Sequence, residues 1–437
     1  MKIERYPPVD LRVQPSRETF STREVSLLSA SERLLLNSWL DDWEKKGIQY
    51  FLDNRCPNGL VLDRAKQIDI PAEYLDPLAK ERMNTMASIA ATGYGLLAWM
   101  LAVEHKMLSP QKAKGWALQT LNTVANNITQ EQSGWMYHFL KADSGQPYPD
   151  SEISSVDTVL FLLGALIAGE YFGGKVKKQA KHLFDQVNFP MMLYNDNQAP
   201  NKEMFSHGFS LKNGHRNFIQ CNWDSYSEGI IIPLLALGAT RHSIPDKIWH
   251  AGWDRIKNWQ YKGLKTFAPL PLFTYFYPLG FFNLKDRKDK QGENFWQEAQ
   301  KAVIMQLAYC KDHDYPKGSF GLTACDGPYG YTAYAPTTNY QDKIIAPNTI
   351  LACLPLNEKK VFQWLYKAKQ VSLDQYKYGL PGSYAPKSGW IGVASDAIGI
   401  DIGSTLLMID VYRRGLIHKL SHQNSAIRRG LHRAGFL

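Results

Sequence analysis

Helical periodicity is the feature of this 437-residue sequence that most limits its fold. Apolar residues recur at three- and four-residue spacing along most of the chain, and we find no run with the alternation of a half-buried strand. Helix starts are marked at Ser29, which opens a capping box, and at Ser109-Pro110, where a cap precedes a first-turn proline. Two runs, Val159–Ala168 and Ile230–Leu237, are apolar on nearly every face and predict buried helices.

The periodicity predicts around twelve helices, joined alternately by short and long connections. They fall near residues 29–50, 85–104, 110–126, 155–172, 176–188, 224–238, 244–260, 293–312, 346–354, 358–369, 401–415 and 421–434. Six inner apolar helices and six outer amphipathic ones would satisfy this pattern. We therefore predict an all-α fold, an (α/α)6 toroid formed as a single domain by residues 29–437, after an extended N-terminal arm, residues 1–28.

Four long loops are rich in Gly, Pro, Tyr and Asp, at residues 132–153, 195–222, 263–290 and 315–345. Loops of this length are uncommon in compact domains unless they are functional. We expect them to gather at one mouth of the toroid and to form a cleft.

Composition excludes several function classes. The net charge is +9, but Lys and Arg mostly alternate with acids and no nucleic-acid-binding fold signature is visible. Five dispersed cysteines without a CxxC pair predict free thiols. His418 and His422 share a helix face without an acidic third ligand, so we expect no metal and no other cofactor.

The same residues bear on location and assembly. The longest apolar runs are too short to span a bilayer, and no apolar leader follows Met1. We expect a soluble monomer without a membrane or nucleic-acid partner. It would be cytoplasmic as written, or periplasmic or secreted if a leader has been removed.

Acidic residues stand where apolar helices begin. Asp157, Glu228 and Asp401 each lead into such a run, Asp224 lies four residues before Glu228, and Asp326 lies in a loop. An acid in a first helical turn also simply complements the helix dipole. Several such acids at inner helices would, however, point into the same mouth.

Glycoside cleavage needs two carboxyl groups in different protonation states. Glu228 suits the acid, because the apolar run after it and Trp223 and Tyr226 before it would raise its pKa by desolvation. A base must stay ionised, which favours an acid in a wetter loop, such as Asp396 or Asp401. The 12 Trp, 23 Tyr and 19 Phe residues fill the core, and some would also line a groove on whose aromatic faces sugars stack.

Several segments resemble glycoside hydrolase family 144, the bacterial glucoamylase-like family. They are Ser154–Thr158, Trp223–Gly229 with Leu235–Gly238, Gly321–Pro328, Gly399–Gly403 with Leu406–Ile409, and Gly430–Phe436. The matches run in the family's order along most of the chain.

The resemblance implies an endo-β-1,2-glucanase with an (α/α)6 barrel, an inverting mechanism and no metal. It implies that Glu228 is the general acid and that Asp157 belongs to the acidic centre, and it favours Asp401 as the general base. The substrate would be linear β-1,2-glucan, cut internally to short oligosaccharides. The candidates for binding it are Trp135, Trp223, Asp224, Tyr226, Asp326, Tyr329, Tyr331, Trp390 and Asp396.

The chain departs from the family in two places. Leu279 and Asn283-Leu284-Lys285 stand where the family carries a His and an Asp-x-Arg, and Asp342-Lys343-Ile344 replaces an Asp-Gly-Thr. A sister family of the same clan would explain these differences. The alternatives in function are a retaining β-1,2-glucan transglycosylase, an exo-enzyme that releases sophorose, and a glucan-binding protein without activity.

Overall fold

The computed structural model describes residues 28–67, 84–128, 132–193, 204–251, 259–328, 330–336, 343–385 and 396–437. The α-helices are α1 (Ala30–Asp53), α2 (Ile89–Glu104), α3 (Pro110–Thr123), α4 (Ser155–Phe172), α5 (Gly174–Gln186), α6 (Ile231–Leu237), α7 (Ile248–Ala251), α8 (Phe273–Phe281), α9 (Phe295–Asp312), α10 (Pro347–Ala352), α11 (Glu358–Gln370), α12 (Gly399–Arg413), α13 (Leu416–Gln423) and α14 (Ser425–Ala434). A π-helical turn covers Val124–Ile128, and 3-10 turns cover Phe189–Met192 and Glu228–Ile230.

The strands are short and lie between the helices. They are β1 (Arg64–Lys66), β2 (Met86–Ser88), β3 (Met136–Tyr137), β4 (Phe139–Lys141), β5 (Ile153–Ser154), β6 (Gly208–Lys212), β7 (His215–Phe218), β8 (Trp259–Tyr261), β9 (Leu264–Thr266), β10 (Ala324–Gly327), β11 (Gly330–Ala333) and β12 (Asp396–Ile398). All pairs are antiparallel: β1 with β12, β2 with β4, β8 with β9, β10 with β11, and a four-stranded sheet in the order β3-β5-β6-β7.

Within the described residues, six apolar helices form an inner ring: α2, α4, α6, α8, α10 and α12. Nearly all of their residues are buried. Amphipathic helices, among them α3, α5 and α11, bury one face against the ring. Helix α12 contacts α1, α2, α8 and α10, so the last inner helix closes onto the first. The predicted (α/α)6 toroid is confirmed.

A glycine contact brings α2 and α4 unusually close. A Cβ atom at Gly93 would lie 2.5 Å from the Cα of Phe161, and one at Gly164 would clash with the Gly93 carbonyl. Because neither glycine has a side chain, the two backbones touch directly. This contact fixes α4, whose first turn carries Asp157, against α2.

Two helix starts follow the sequence as predicted. Ser29 caps α1, and its side chain and that of Glu32 form the expected capping box. Ser109 caps α3 and Pro110 occupies the first turn. The helix α4 is long and apolar enough to cross a membrane by length and composition alone, and 78% of it is buried in the protein. That burial is what the inner ring requires of it.

Four predictions about elements are wrong. Helix α8 lies inside the predicted loop 263–290, and β8 occupies the end of the predicted helix 244–260. The predicted helix 224–238 begins only at Glu228, and 421–434 is divided at Asn424, whose side chain caps α14. The short strands were not predicted, because strands of two to five residues are too short to show a clear alternation. The predicted N-terminal arm lies outside the described residues except for Leu28.

Candidate active site

Three carboxyl groups stand where the chain enters inner helices. Asp157 lies in the first turn of α4, directly after β5, and Asp401 lies in the first turn of α12, directly after β12. Glu228 begins the 3-10 turn that leads into α6. The pairing of β1 with β12, extended by the Gly399 N–H donating to the Asp63 carbonyl at 2.7 Å, fixes the start of α12.

Glu228 occupies a dry position. Its Oε2 is buried and has no hydrogen-bond partner among the described residues, which is a costly arrangement for a charged oxygen. Burial raises the pKa of Glu228 to about 7, and the negative charge of Asp157 adds to the effect. The desolvation predicted from its sequence neighbours is therefore present. Asp224, expected on the same helix face, instead lies exposed in the loop before the turn.

Asp157 is held by a hydroxyl and an imidazole. Ser154 Oγ donates to Asp157 Oδ2 at 2.5 Å, and His138 Nε2 lies 3.6 Å from Asp157 Oδ1. On its other side, His138 Nδ1 lies 2.8 Å from Glu152 Oε1. Burial raises the pKa of Asp157, against the opposing charge of His138. Although burial works against it, the carboxylates of Asp157 and Glu152 raise the pKa of His138 to about 9.

Asp401 is drier than predicted. Its Oδ2 is buried without a partner in the described part of the chain. Burial raises the pKa of Asp401 to about 8, and the charges of Asp326 and Asp63 raise it further, while Arg64 and a hydrogen bond with Asn348 oppose them. Asp401 thus lies in the first turn of α12, where burial raises its pKa, and not in the wetter loop that was expected.

A buried arginine gathers three aspartates beside Asp401. Arg64 Nη1 lies 3.3 Å from Asp326 Oδ2 and 3.2 Å from Asp396 Oδ2, and its Nε lies 3.5 Å from Asp63 Oδ2. Asp396 is only 1% exposed, so its predicted position in a wet loop is also wrong. Burial raises the pKa of Asp326. Asp326 and Asp396 therefore form ion pairs, whereas Glu228 and Asp401 have none among the described residues.

Three tyrosines lie among these acids. Burial raises the pKa of Tyr277, on α8, well above its usual value, and the charges of Asp401 and Glu228 both act on it. Burial raises the pKa of Tyr94, on α2, and the charges of Asp401 and Asp157 raise it further; its hydroxyl has no partner in the described residues. Burial also raises the pKa of the predicted site residue Tyr331, on β11, and the charges of Asp401 and Asp326 add to the effect. Because their charges act on the same group of tyrosines, Asp157, Glu228, Asp326 and Asp401 lie around one site.

The predicted aromatic residues divide into a support and a core group. The Trp223 ring stacks on His207 with centroids 3.8 Å apart, and its Nε1 donates to Ser155 Oγ at 2.9 Å. A Cβ at Gly229 would lie 2.5 Å from this ring, so Trp223 supports the turn that carries Glu228.

Two other predicted binding residues lie in the core. Tyr226 is 1% exposed and packs against Phe267, Tyr275 and Phe295. Trp135 is fully buried and donates to the Asn188 carbonyl. Neither ring has a face open to a sugar, so their prediction as binding residues is wrong. Tyr329 and Trp390 lie outside the described residues.

Sequence reasoning missed Arg64, His138, Tyr94 and Tyr277. Arg64 follows Asp63, and His138 lies in a long loop that was predicted to be functional, so both carried a weak local signal. Tyr277 lies in the predicted loop 263–290 and carried the same weak signal, whereas Tyr94 stands in an apolar helical segment and was indistinguishable from a core residue. Among the described residues, no three His, Cys, Asp or Glu side chains are grouped as metal ligands.

Part of the chain matches a known protein family. Residues 220–425 match the family described as "Glycoamylase: Putative glucoamylase". No curated protein sequence matches the chain.

Solved structures share its fold. An endo-β-1,2-glucanase from Chitinophaga pinensis, in complex with sophorotriose and glucose, superposes with a TM-score of 0.79 at 22% identity, over 94% of this chain and 99% of that one. A β-1,2-glucanase from Parabacteroides distasonis gives 0.78 at 18% identity, over 92% of this chain and 60% of that one. An endo-β-1,2-glucanase from Talaromyces funiculosus, in complex with sophorose, gives 0.66 at 13%, over 94% of both chains. The chain thus matches this family over residues 220–425 and has the (α/α)6 fold of these structures.

Proposed function

We propose that this protein is an endo-β-1,2-glucanase that hydrolyses linear β-1,2-glucan by general acid and base catalysis. The observation that carries the proposal is the pair of buried carboxyl groups, Glu228 and Asp401, each with an oxygen that has no partner in the described structure. Substrate oxygens or water would supply those partners. The titles of the similar structures name β-1,2-glucanases and their sophorose-type ligands, which supports the linkage.

Neighbouring charges suggest which carboxyl has which role. Glu228 faces the Asp157 carboxyl, and a negative neighbour favours its protonated form. At Asp401 the cation of Arg64 favours the ionised form and opposes the larger effects of Asp326 and Asp63, which favour the protonated form. We assign Glu228 to protonate the glycosidic oxygen, and Asp401, the carboxyl with a cation nearby, to take a proton from the attacking water. A water or sugar hydroxyl that donates to Asp401 Oδ2 would stabilise its charge further.

We propose that the reaction inverts the anomeric centre. Glu228 and Asp401 begin different elements, the turn before α6 and helix α12, and helix α8 contacts both of these elements. A nucleophilic carboxylate would need to stand ~5–5.5 Å from the acid, whereas inversion takes a gap of ~6.5–9.5 Å that leaves room for water. The first product would then be the α-anomer.

A panel of purified glucans of defined linkage tests the proposal. We expect β-1,2-glucan to be cut internally, with short oligosaccharides appearing before glucose, and β-1,3-glucan, cellulose and starch to be degraded more slowly. Proton NMR of the first products should show the α-anomer.

Each other outcome points elsewhere. A β-anomer would indicate the retaining transglycosylase, and sophorose as the sole early product would indicate an exo-enzyme. Binding of the glucan without new reducing ends would indicate a non-catalytic protein.

A further inference from the structure

Three side chains form a row that ends at the proposed general acid. Glu152, His138 and Asp157 are joined through the two ring nitrogens of the histidine, at 2.8 Å and 3.6 Å. The exposed fractions of these side chains fall from 29% to 23% to 11% along the row. Asp157 is the residue whose charge reaches Glu228. The row therefore connects a partly exposed acid to the buried one.

The imidazole is fixed in place by its surroundings. The His138 N–H donates to the Glu152 carbonyl at 2.9 Å, and the Ile89 N–H donates to the His138 carbonyl at 3.0 Å. The ring stacks on Phe139 with centroids 3.6 Å apart. Since both backbone groups are bonded and one ring face is covered, the two nitrogens keep their directions towards Glu152 and Asp157. An ordered histidine between two carboxyl groups is suited to set their charges.

The charged groups that face this row come from several elements. His138 faces Glu152, Asp157 and, from the segment before β1, Asp63. Asp157 also accepts from Ser154 and acts on Glu228 and on the Tyr94 hydroxyl. Glu152, Asp157 and Asp63, which is itself paired with Arg64, are acidic, and acidic neighbours favour an imidazolium.

We propose that His138 is a positioning residue for the general acid: its cation, held between Glu152 and Asp157, keeps the Asp157 carboxylate charged beside Glu228. This inference rests on the proposed function, because it takes Glu228 as the proton donor. In this proposal His138 takes no direct part in the proton transfer from Glu228 to the glycosidic oxygen. It acts through Asp157, whose negative charge makes Glu228 hold its proton to higher pH.

Loss of the His138 cation should lower the pKa of Glu228. Without the imidazolium, the buried Asp157 carboxyl takes up a proton and becomes neutral. Glu228 then loses its anionic neighbour, and its pKa falls towards the ordinary range for glutamate. Because Asp401 has the higher pKa, the Glu228 titration appears in the acidic limb of kcat/KM, and this limb moves to lower pH. Removing one unit charge within ~10 Å, at an effective dielectric constant of about 20, corresponds to about one pH unit.

The test combines NMR titration with kinetics in His138→Gln. In the wild-type protein, the side-chain ¹⁵N signals of His138 should show an imidazolium at pH 7. In the variant, the ¹³C-carboxyl signal of Glu228, assigned by its loss in Glu228→Gln, should titrate about one pH unit lower. The acidic limb of kcat/KM should move to lower pH by the same amount, and the alkaline limb should stay in place. Glu152→Gln, which keeps the imidazole, should shift the Glu228 titration and the acidic limb in the same direction by less.

A matched control is His105→Gln. His105 Nε2 lies 3.1 Å from the buried carboxylate of Glu44, which is the same kind of pair outside the candidate site. This control should leave the Glu228 titration and the acidic limb unchanged. A neutral His138 at pH 7 in the wild-type protein, or an unshifted Glu228 titration in both row variants, would overturn the inference. Because the titrations need no substrate, they remain decisive even if β-1,2-glucan proves not to be cut.

Discussion

Glu228 and Asp401 share burial but differ in the charges that act on them. Burial raises the pKa of each, to about 7 and about 8. The anion Asp157 acts on Glu228, whereas Asp401 has the anions Asp326 and Asp63 and, opposing them, the cation Arg64. A glucan that replaces the missing hydrogen bonds acts on both oxygens at once. It stabilises a protonated donor at one and an ionised acceptor at the other, which is the pairing that acid and base catalysis needs.

Replacement of Glu228 by Gln keeps the shape of the side chain and removes the proton donor. We expect kcat on β-1,2-glucan to fall by at least ~10²-fold, the low end of general acid catalysis. An aryl β-glycoside with a good leaving group needs little protonation, so its cleavage should fall much less. Initial rates on both substrates measure the difference. Asp401→Asn should slow both substrates, because both need an activated water.

The control for this substitution is Glu298→Gln. Glu298 is a buried glutamate with a raised pKa, bonded to the Phe267 N–H, on the outer helix α9. It should retain most of the wild-type rate. If Glu228→Gln kept a tenth of the wild-type rate on the polymer, Glu228 would not be the general acid.

The two raised pKa values also predict the pH dependence. The productive form has Glu228 protonated and Asp401 ionised. With limbs near 7 and 8, kcat/KM should rise to an optimum of about 7.5 and fall on either side. Because the base has the higher value, only about one free enzyme molecule in twenty is in the productive form at the optimum. Measurement of kcat/KM between pH 5 and 10 checks this, and an optimum below pH 6 would contradict it.

At the residue scale, the sequence predicts acids better than their partners. The environment of Glu228 follows from its neighbours along the chain, Trp223 and the apolar run after it. Asp157 lies beside His138 because β3 pairs with β5, and Asp401 lies near Arg64, more than three hundred residues away, because the ring closes. No local pattern records either pair.

The turn that carries Glu228 depends on a tryptophan. A Cβ at Gly229 would lie 2.5 Å from the Trp223 ring, which is held by His207 on one face and by Ser155 at Nε1. We therefore expect Gly229→Ala to push the turn away and to lower kcat by at least ~10-fold, since small displacements of a catalytic group are costly. Steady-state kinetics measure this loss. The melting temperature should change little.

A double variant tests whether this clash is the cause. Trp223→Ala removes the ring and leaves space for the added methyl group. The combined variant should then be no slower than Trp223→Ala alone, which is a strongly non-additive result. Losses that simply multiply would show that Gly229 acts by another route.

At the element scale, helix signals were reliable where a cap marked them and weak where proline intervened. The caps at Ser29 and Ser109 gave correct starts. Helix α8 was missed because Pro271 precedes it and Pro278 lies inside it, and proline usually ends a helix. It persists because all but one of its residues are buried in the ring, and packing offsets the lost hydrogen bond.

At the scale of the whole molecule, the fold followed from the pattern of apolar helices, whereas its closure did not. Helices that are apolar on every face must be buried in an inner ring, and this apolar pattern can be read from each segment of the sequence by itself. The order of contacts around the ring, with α12 against α1, α2, α8 and α10, depends on long-range packing. Glycines determine how closely those helices approach each other. The sequence around a glycine in an apolar helix does not predict which helix packs against it.

The contact of α2 with α4 gives a prediction for the entire ring. Gly164 lies in the middle of α4, where an added Cβ would clash with the Gly93 carbonyl oxygen, a backbone atom that cannot swing aside. We expect Gly164→Ala to lower stability by about 3 kcal/mol or more, as overpacking of a rigid core does. The control is Gly115→Ala in the outer helix α3, where nothing lies within 4 Å of the new methyl group. Because alanine favours a helix over glycine, this control should gain about 0.5–1 kcal/mol. Thermal melts at one scan rate would compare the three proteins, and equal melting temperatures would mean that α2 and α4 can separate without cost. Since α4 carries Asp157, any Gly164→Ala protein that folds should also show an altered titration of Glu228, which ties the packing of the ring to the chemistry of its mouth.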